Sequence, residues 1–160
     1  MMLKEGITRK QSKNFYKPYP RYMNSLYSGY RKKCFEKEYP YTDITNKIIF
    51  CGLEVHSRLG PGLLENLYEE ALALEFELRN LSYERHKEIS LQYKGRPIGK
   101  HAITFLVENK VVVEIKAVGP LYSIYETQML TFLKAMNKKV GLLFNFNTER
   151  FKDNIKKLII

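Results

Sequence analysis

Residues 102–118 read AITFLVENKVVVEIKAV, two apolar runs separated by a polar turn around Glu108 and Asn109. The β-branched residues in both runs and the turn between them predict a β-hairpin at the centre of the fold. The second strand carries Glu114 and Lys116, which point to the same face because side chains on a strand alternate. A charge on an otherwise apolar strand is costly unless it is paired, exposed or functional. This stretch therefore predicts both the middle of a sheet and a candidate functional site.

Helical periodicity predicts two helices before this hairpin. The first has its N-cap at Thr42 or Asp43 and ends at the Gly-Pro-Gly of residues 60–62. The second runs through LLENLYEEALALEFELRN, with Asn80 as its C-cap. The predicted buried positions of the first helix are Ile48, Gly52, Val55 and Leu59. Those of the second helix are Leu64, Leu67, Ala71, Leu74 and Leu78.

The remaining elements complete a sheet around the hairpin. The alternating segment ISLQY predicts a short strand before it, and the apolar run VGLLFNF predicts a strand buried on both faces after it. Between them SIYETQMLTFLKAMN predicts a third helix, and FKDNIKKLII predicts a last strand. The inward positions of the third helix are Ile124, Met129, Phe132 and Leu133. The order α-α-β-β-β-α-β-β predicts an α/β fold with a mixed sheet flanked by helices.

The charge of the chain is uneven and favours a polyanionic partner. The net charge is +10, and residues 1–42 carry +7 of it, with 10 Lys and Arg against 3 acidic residues. Nucleic acid is the first expected partner and an acidic membrane surface the second. No stretch has the roughly 18 apolar residues of a membrane span. We therefore expect a nucleic-acid partner and no membrane insertion.

Residues 1–42, the basic arm, also hold 7 of the 12 tyrosines, without helical or strand periodicity. Lys and Arg neutralise phosphates, and Tyr rings stack on bases. The candidate nucleic-acid-binding residues are Lys13, Lys17, Arg21, Arg31, Lys32, Lys33, Tyr16 and Tyr22. A solvated tail is the alternative interpretation. The expected division is a basic arm, residues 1–42, followed by a folded domain, residues 43–160.

The cysteines and the N-terminus bear on the compartment. Cys34 and Cys51 form no metal-binding spacing and are expected to be reduced thiols. The first residues lack the apolar core of a secretory signal, while their basic, acid-poor composition leaves an organellar transit sequence open. We expect a cytoplasmic or organellar-matrix protein that is not secreted.

The pair Glu114 and Lys116 has the chemistry of a metal-dependent nuclease. Carboxylate oxygens are ligands for Mg²⁺, and a nearby Lys stabilises developing charge or orients the attacking water. The E-x-K motif is weak, because Glu108 and Lys110 form a second copy in the turn. A surface ion pair on a half-exposed strand is the alternative. The three histidines show no ligand spacing, and His101 is either a proton carrier or an ordinary strand residue.

Several motifs in order resemble the GxxExxY proteins, a family of the PD-(D/E)XK nuclease superfamily. The family motif appears as GLLENLY, residues 62–68, and its E-x-K element as Glu114 to Lys116. A helix bearing Glu126 and Gln128 follows, where the family has a helix with a Gln. The resemblance covers residues 44 to 158 and implies the restriction-endonuclease-like fold. It implies Glu114, Lys116 and Gln128 as catalytic residues.

One departure from the family pattern puts catalysis in doubt. The family typically reads R-A-D-F on the strand before E-x-K, whereas this chain has Thr104 in place of the Asp and Ala102 in place of the Arg. A neutral hydroxyl is a poor ligand for a hard dication. The resemblance leaves Glu65 and Glu114 as metal ligands, so we expect Mg²⁺ binding that is weak or absent. The catalytic residues are then vestigial or weak.

Three functions are open on these observations. The favoured one is a degenerate nuclease domain that binds DNA or RNA with impaired cleavage, alone or within a larger nucleoprotein assembly such as a ribonucleoprotein. The second is an active Mg²⁺-dependent nuclease using Glu65, Glu114 and Lys116. The third is a protein-interaction domain with a solvated tail. The residues themselves do not distinguish DNA from RNA.

Overall fold

The computed structural model describes residues 39–160, which form one unit of helices and strands. Within residues 39–160 there are three α-helices: α1 (Thr42–Leu59), α2 (Glu65–Leu78) and α3 (Ser123–Met136). A 3₁₀ turn, Phe151–Asn154, precedes the last strand. The candidate nucleic-acid-binding residues of the basic arm, from Lys13 to Lys33, lie outside the described residues, so their role stays a prediction.

The strands in the described part of the chain are β1 (Tyr83–Tyr93), β2 (Arg96–Val107), β3 (Val111–Lys116), β4 (Val140–Asn145) and β5 (Ile155–Ile159). They form one sheet in the order β1-β2-β3-β4-β5. The β3/β4 pair is parallel and the other pairs are antiparallel. Helix α3 connects the two parallel strands, as a parallel crossover requires. The predicted element order and the mixed, helix-flanked sheet are confirmed.

The core has two layers because β4 is buried along its whole length. Gly141 lies so close to Met129 of α3 that an added Cβ would be 2.5 Å from its sulfur. Gly52 of α1 likewise approaches Phe144, with 2.9 Å between an added Cβ and the ring. Positions 141 and 144 have opposite parity on the strand, so α3 and α1 cover opposite faces of the sheet. The continuous apolar run predicted this double burial.

The predicted buried face of α2 is wrong. Leu64, Leu67, Leu74 and Leu78 are all exposed, with Leu64 at 72%. The helix instead buries Tyr68, Glu69, Leu72, Ala73 and Phe76. The aromatic rings explain this choice, because Tyr68 stacks on Phe146 at 4.6 Å and Phe76 meets Phe105 edge-on at 5.3 Å. Both faces of α2 carry apolar residues, and the larger rings fill the core.

Four smaller expectations also need correction. The N-cap of α1 is Tyr41, with a left-handed backbone, and Thr42 is already helical. Leu59 is 43% exposed at the end of α1, where the chain turns away from the core. Ile124 is 64% exposed in the first turn of α3, whereas the other predicted inward residues of that helix are buried. The C-cap of α2 is Arg79, and Asn80 follows in the left-handed conformation.

The β1/β2 hairpin is longer than the short strand ISLQY predicted. Its pairing runs from Tyr83 opposite Val107 to Tyr93 opposite Arg96. Strand β3 pairs with β2 only from Phe105 to Val107. The hairpin therefore continues past the last β3 pairing as a two-stranded ribbon, in the direction in which β3 runs towards Lys116.

No helix within residues 39–160 is long and apolar enough to cross a membrane. Cys51 is a free, buried thiol, and burial raises its pKa to about 12. A thiol that stays protonated at neutral pH is a poor nucleophile and metal ligand. Cys51 is therefore a core residue of α1.

Candidate functional site

The candidate site lies where β2 and β3 separate. The register that pairs Phe105 with Val113 places Thr104 opposite Glu114. The backbone N–H of Thr104 donates a hydrogen bond to Oε1 of Glu114 at 2.9 Å, and the Thr104 hydroxyl donates to Oε2 at 3.1 Å. Each carboxylate oxygen therefore accepts one hydrogen bond from the same residue. The Glu114 side chain thus accepts hydrogen bonds from β2 at the point where the backbone pairing of β2 with β3 ends.

Glu114 is a buried carboxylate rather than a member of a surface ion pair. Only 5% of the residue is exposed, so the half-exposed alternative is wrong for this residue. Burial raises the pKa of the Glu114 carboxyl above its ordinary value. The hydrogen bonds from Thr104 and the charge of Lys116 act in the opposite direction. The raised pKa means that burial outweighs the groups that favour the charged form.

Lys116, the second charged residue of the E-x-K element, lies near the side chains of Glu65, Tyr125 and His101. Its Nζ lies 3.8 Å from Oε1 of Glu65 and 5.6 Å from the centre of the Tyr125 ring of α3. The Lys116 side chain is 19% exposed. His101 stacks on Phe132 at 4.3 Å, and burial together with the Lys116 charge lowers its pKa. The His101 side chain is therefore uncharged at neutral pH, and it lies beside Lys116 at the candidate site.

The GLLENLY motif gives each of its three spaced residues a distinct position. Gly62 has a φ of 97°, a conformation that residues with a Cβ rarely adopt. Glu65 begins α2, and its Oε2 accepts a hydrogen bond from the backbone N–H of Ala117 at 3.2 Å. Tyr68, one turn later, donates to the carbonyl of Gly60 at 2.7 Å and accepts from the N–H of Leu63 at 3.1 Å. The motif thus joins the start of α2 to the end of β3.

Asn145 is a site residue that the sequence prediction did not include. It is buried inside β4 and lies opposite Lys116 in the parallel pair. Its Oδ1 accepts from the N–H of Val118 at 3.2 Å, and its Nδ2 donates to the carbonyl of Gly119 at 3.0 Å. Asn145 therefore holds the loop that follows the E-x-K pair. An Asn within the apolar run VGLLFNF was the available signal.

The acidic and amide residues of α3 are less closely tied to the pocket. Gln128 is partly buried and lies about one turn after Tyr125, so it is on the side of α3 that faces Lys116. Glu126 lies 3.8 Å from Lys156 of β5, measured from Oε1 to Nζ. The structure thus brings Glu114, Lys116 and Glu65 together. Gln128 lies on the nearby side of α3, whereas Glu126 contacts β5. Their catalytic and metal-binding roles stay predictions.

The donor set fits a Mg²⁺ ion poorly. Mg²⁺ requires near-octahedral oxygen ligands and usually keeps several waters. Thr104 supplies a hydroxyl that already donates to Glu114, and Glu114 is too buried to share a hydrated ion freely. Of the Glu65 oxygens, Oε2 accepts from Ala117 and Oε1 faces Lys116. Between residues 39 and 160, no three His, Cys, Asp or Glu side chains are grouped to hold a metal.

Comparison with known proteins identifies the class to which this fold and site belong. The family model of the PD-(D/E)XK nuclease superfamily matches residues 42–158. The chain belongs to this superfamily, whose members usually use divalent metals. Searches against curated proteins and against solved structures found no match to the chain.

Proposed function

We propose that this chain is a nucleic-acid-binding protein whose PD-(D/E)XK domain is impaired in cleavage. The observation that carries the proposal is the pair of hydrogen bonds from Thr104 to Glu114. They use the one buried carboxylate of the E-x-K element as a structural acceptor. A neutral hydroxyl stands where a metal-binding acid is expected from the resemblance. Electrostatic and groove contacts with nucleic acid do not depend on that acid.

We assign the chain to the GxxExxY family within the superfamily. The support is the geometry of residues 62–68, because Gly62, Glu65 and Tyr68 each have a separate structural reason for their spacing. Glu65 reaches the end of β3, so the motif and the E-x-K element belong to one site.

The proposed partner is DNA or RNA, alone or in a larger nucleoprotein assembly. The support is the net charge of +10, most of it in residues 1–42, together with membership of a nuclease superfamily. The proposed division of the chain is the basic arm, residues 1–42, and the nuclease-like domain, residues 43–160. The proposed compartment is the cytoplasm or an organellar matrix, supported by the reduced Cys51.

An active metal-dependent nuclease is the second candidate. The observation in its favour is the clustering of Glu65 and Lys116 near Glu114, whose carboxyl also experiences the charge of Glu65. That cluster contains the residue types of a cleavage site. The poor fit of its donor set to Mg²⁺ places it second.

Equilibrium binding of the full chain to labelled DNA and RNA, in EDTA and over a salt series, tests the proposal. We expect binding to at least one nucleic acid, with affinity falling as salt rises because phosphate contacts release counterions. Absence of binding to duplex and single-stranded DNA and RNA at low salt would overturn it.

A further inference from the structure

The β1/β2 hairpin ends in an exposed, basic two-stranded tip. Residues 92–100, the ribbon tip, are exposed without exception. Lys94 and Gly95 form a two-residue turn between Tyr93 and Arg96, and both have positive φ, 49° and 77°. Positive φ at both central positions is the requirement of a type I′ turn, whose twist matches that of the strands. The tip is therefore a defined hairpin and not an irregular loop.

The ribbon tip has one sign of charge. Residues 89–101 contain three basic residues and no acidic one. Lys100 pairs with Glu88 of β1 at 2.7 Å, whereas Lys94 and Arg96 flank the turn itself. Tyr93 and Ile98 are 62% and 68% exposed beside them. A phosphate-rich partner would meet two cations together with an aromatic and an aliphatic surface.

The dimensions of the ribbon tip suit a groove of duplex DNA. Between the Ile89–His101 pair, where α3 still covers the sheet, and the Tyr93–Arg96 pair there are four residues, or about 13 Å of strand. The major groove of B-form DNA is about 12 Å wide and about 8.5 Å deep, and it admits a two-stranded β-ribbon. The major groove of A-form RNA is too deep and narrow for side chains to read.

We propose that the ribbon tip enters the major groove of B-form duplex DNA, with Lys94 and Arg96 contacting phosphates or base edges. This inference rests on the proposed nucleic-acid binding and adds the type of nucleic acid and the surface that selects it. The hairpin continues past Lys116 at the E-x-K end of the sheet, so the bound duplex lies across the candidate site. The membership of the nuclease superfamily favours DNA over an acidic membrane surface for this tip.

The test compares two charge-matched double variants of the full chain. Lys94→Asn with Arg96→Gln removes the tip charges, and Asn tolerates the positive φ of the turn. Lys134→Gln with Lys139→Gln removes the same charge from exposed positions near the start of β4, at the opposite end of the sheet. Binding is measured to a DNA duplex, to an RNA duplex of the same sequence and to anionic vesicles.

We expect the tip variant to lose about tenfold or more in affinity for the DNA duplex and the control to lose much less. We also expect the unmodified chain to prefer the DNA duplex to the RNA duplex. Equal losses in both variants, equal binding of both duplexes, or tip-dependent binding to vesicles but not to DNA would overturn this inference while nucleic-acid binding stands. If the unmodified chain binds no nucleic acid, the proposed function fails as well.

Discussion

Thr104 donates both its backbone N–H and its hydroxyl to the carboxylate of Glu114, across the point where β2 and β3 part. One residue thus supplies the partner for a buried charge and takes the position where the resemblance implies a metal-binding acid. The relationship explains how the fold tolerates Glu114 in a strand whose other side chains, from Val111 to Ile115, are buried and apolar. The same two hydrogen bonds give Glu114 a structural role, because they join β3 to β2.

The first prediction separates the charge of Glu114 from its hydrogen bonds. Glu114→Ala leaves the Thr104 N–H without its acceptor and should cost about 1 to 3 kcal/mol of unfolding free energy. Glu114→Gln keeps an acceptor for that N–H and removes the buried charge, so it should be the more stable variant. Chemical denaturation of both variants at neutral pH gives the comparison, and equal destabilisation by Ala and Gln would contradict the assigned role.

The second prediction concerns the pH dependence of the same pair of proteins. Burial raises the pKa of Glu114 in the folded state above its ordinary value of 4.5. At pH values between 4.5 and the folded-state pKa, the folded protein therefore keeps a proton on Glu114 that the unfolded chain releases. The contribution of the Glu114 proton to stability should therefore be lost as pH rises through the folded-state pKa, and Glu114→Gln should lack this contribution. The stability of the variant relative to the wild type should rise above pH 4.5. A pH-independent difference would show that burial does not penalise this charge.

The third prediction restores the missing acid. Thr104→Asp should place a second carboxylate close to Oε2 of Glu114, where the Thr104 hydroxyl now lies at 3.1 Å. The two charges should repel each other and destabilise the protein without metal. Mn²⁺ at about 100 times its Kd should then return about 2.7 kcal/mol of stability. Thr104→Asn is the matched control, and thermal unfolding with and without Mn²⁺ is the measurement.

If Mn²⁺ stabilises Thr104→Asn or the wild type as much as it stabilises Thr104→Asp, the third prediction is wrong. Such a response would mean that Glu65 and Glu114 already bind the metal, and it would favour the active-nuclease alternative.

The fourth prediction treats Tyr68 as a structural residue. Tyr68→Phe removes the hydroxyl that joins Gly60 and Leu63 but keeps the ring that stacks on Phe146. The loss should be about 1 to 3 kcal/mol of unfolding free energy. Affinity for nucleic acid should be unchanged at a temperature where the variant is folded. A stable variant with weakened binding would instead make Tyr68 a binding residue.

The fifth prediction concerns the basic arm. Truncation should begin the chain at Tyr39, because the Tyr41 carbonyl accepts the N–H of Thr45 and belongs to the start of α1. The truncated domain should stay folded and bind nucleic acid more weakly. The slope of log affinity against log salt on duplex should fall by about 0.9 for each lost phosphate contact. Equal affinity and equal slope for both chains would make the first 38 residues a solvated tail.

The fold could be predicted because its signals are long and agree with one another. The run VGLLFNF, the E-x-K strand and the three helical segments fix the order of elements without reference to exact boundaries. The buried face of α2 could not be predicted, because leucines at helical spacing lie on one side and Tyr68, Leu72 and Phe76 on the other. Periodicity locates apolar stripes but does not rank two stripes on one helix.

The contact between Thr104 and Glu114 depends on the register of β2 against β3, which residue patterns alone do not determine. A two-residue turn at Glu108 and Asn109 would place Thr104 opposite Val113. The loop of residues 108–110 in the structure places it opposite Glu114 instead. A shift of one residue turns every side chain of a strand to the other face. Residue patterns alone therefore identified the acid of the pocket, Glu114, whereas only the family resemblance indicated that position 104 would be its partner.

Binding and cleavage measured on one labelled DNA duplex distinguish a nucleic-acid-binding domain with impaired cleavage from an active nuclease. The full chain is incubated with the duplex in EDTA, in Mg²⁺ and in Mn²⁺, and the bound fraction and the strand length are both recorded. We expect binding in EDTA and an intact duplex in all three conditions. Cleavage that requires Mg²⁺ or Mn²⁺ and disappears in Glu114→Gln would contradict it and establish an active nuclease.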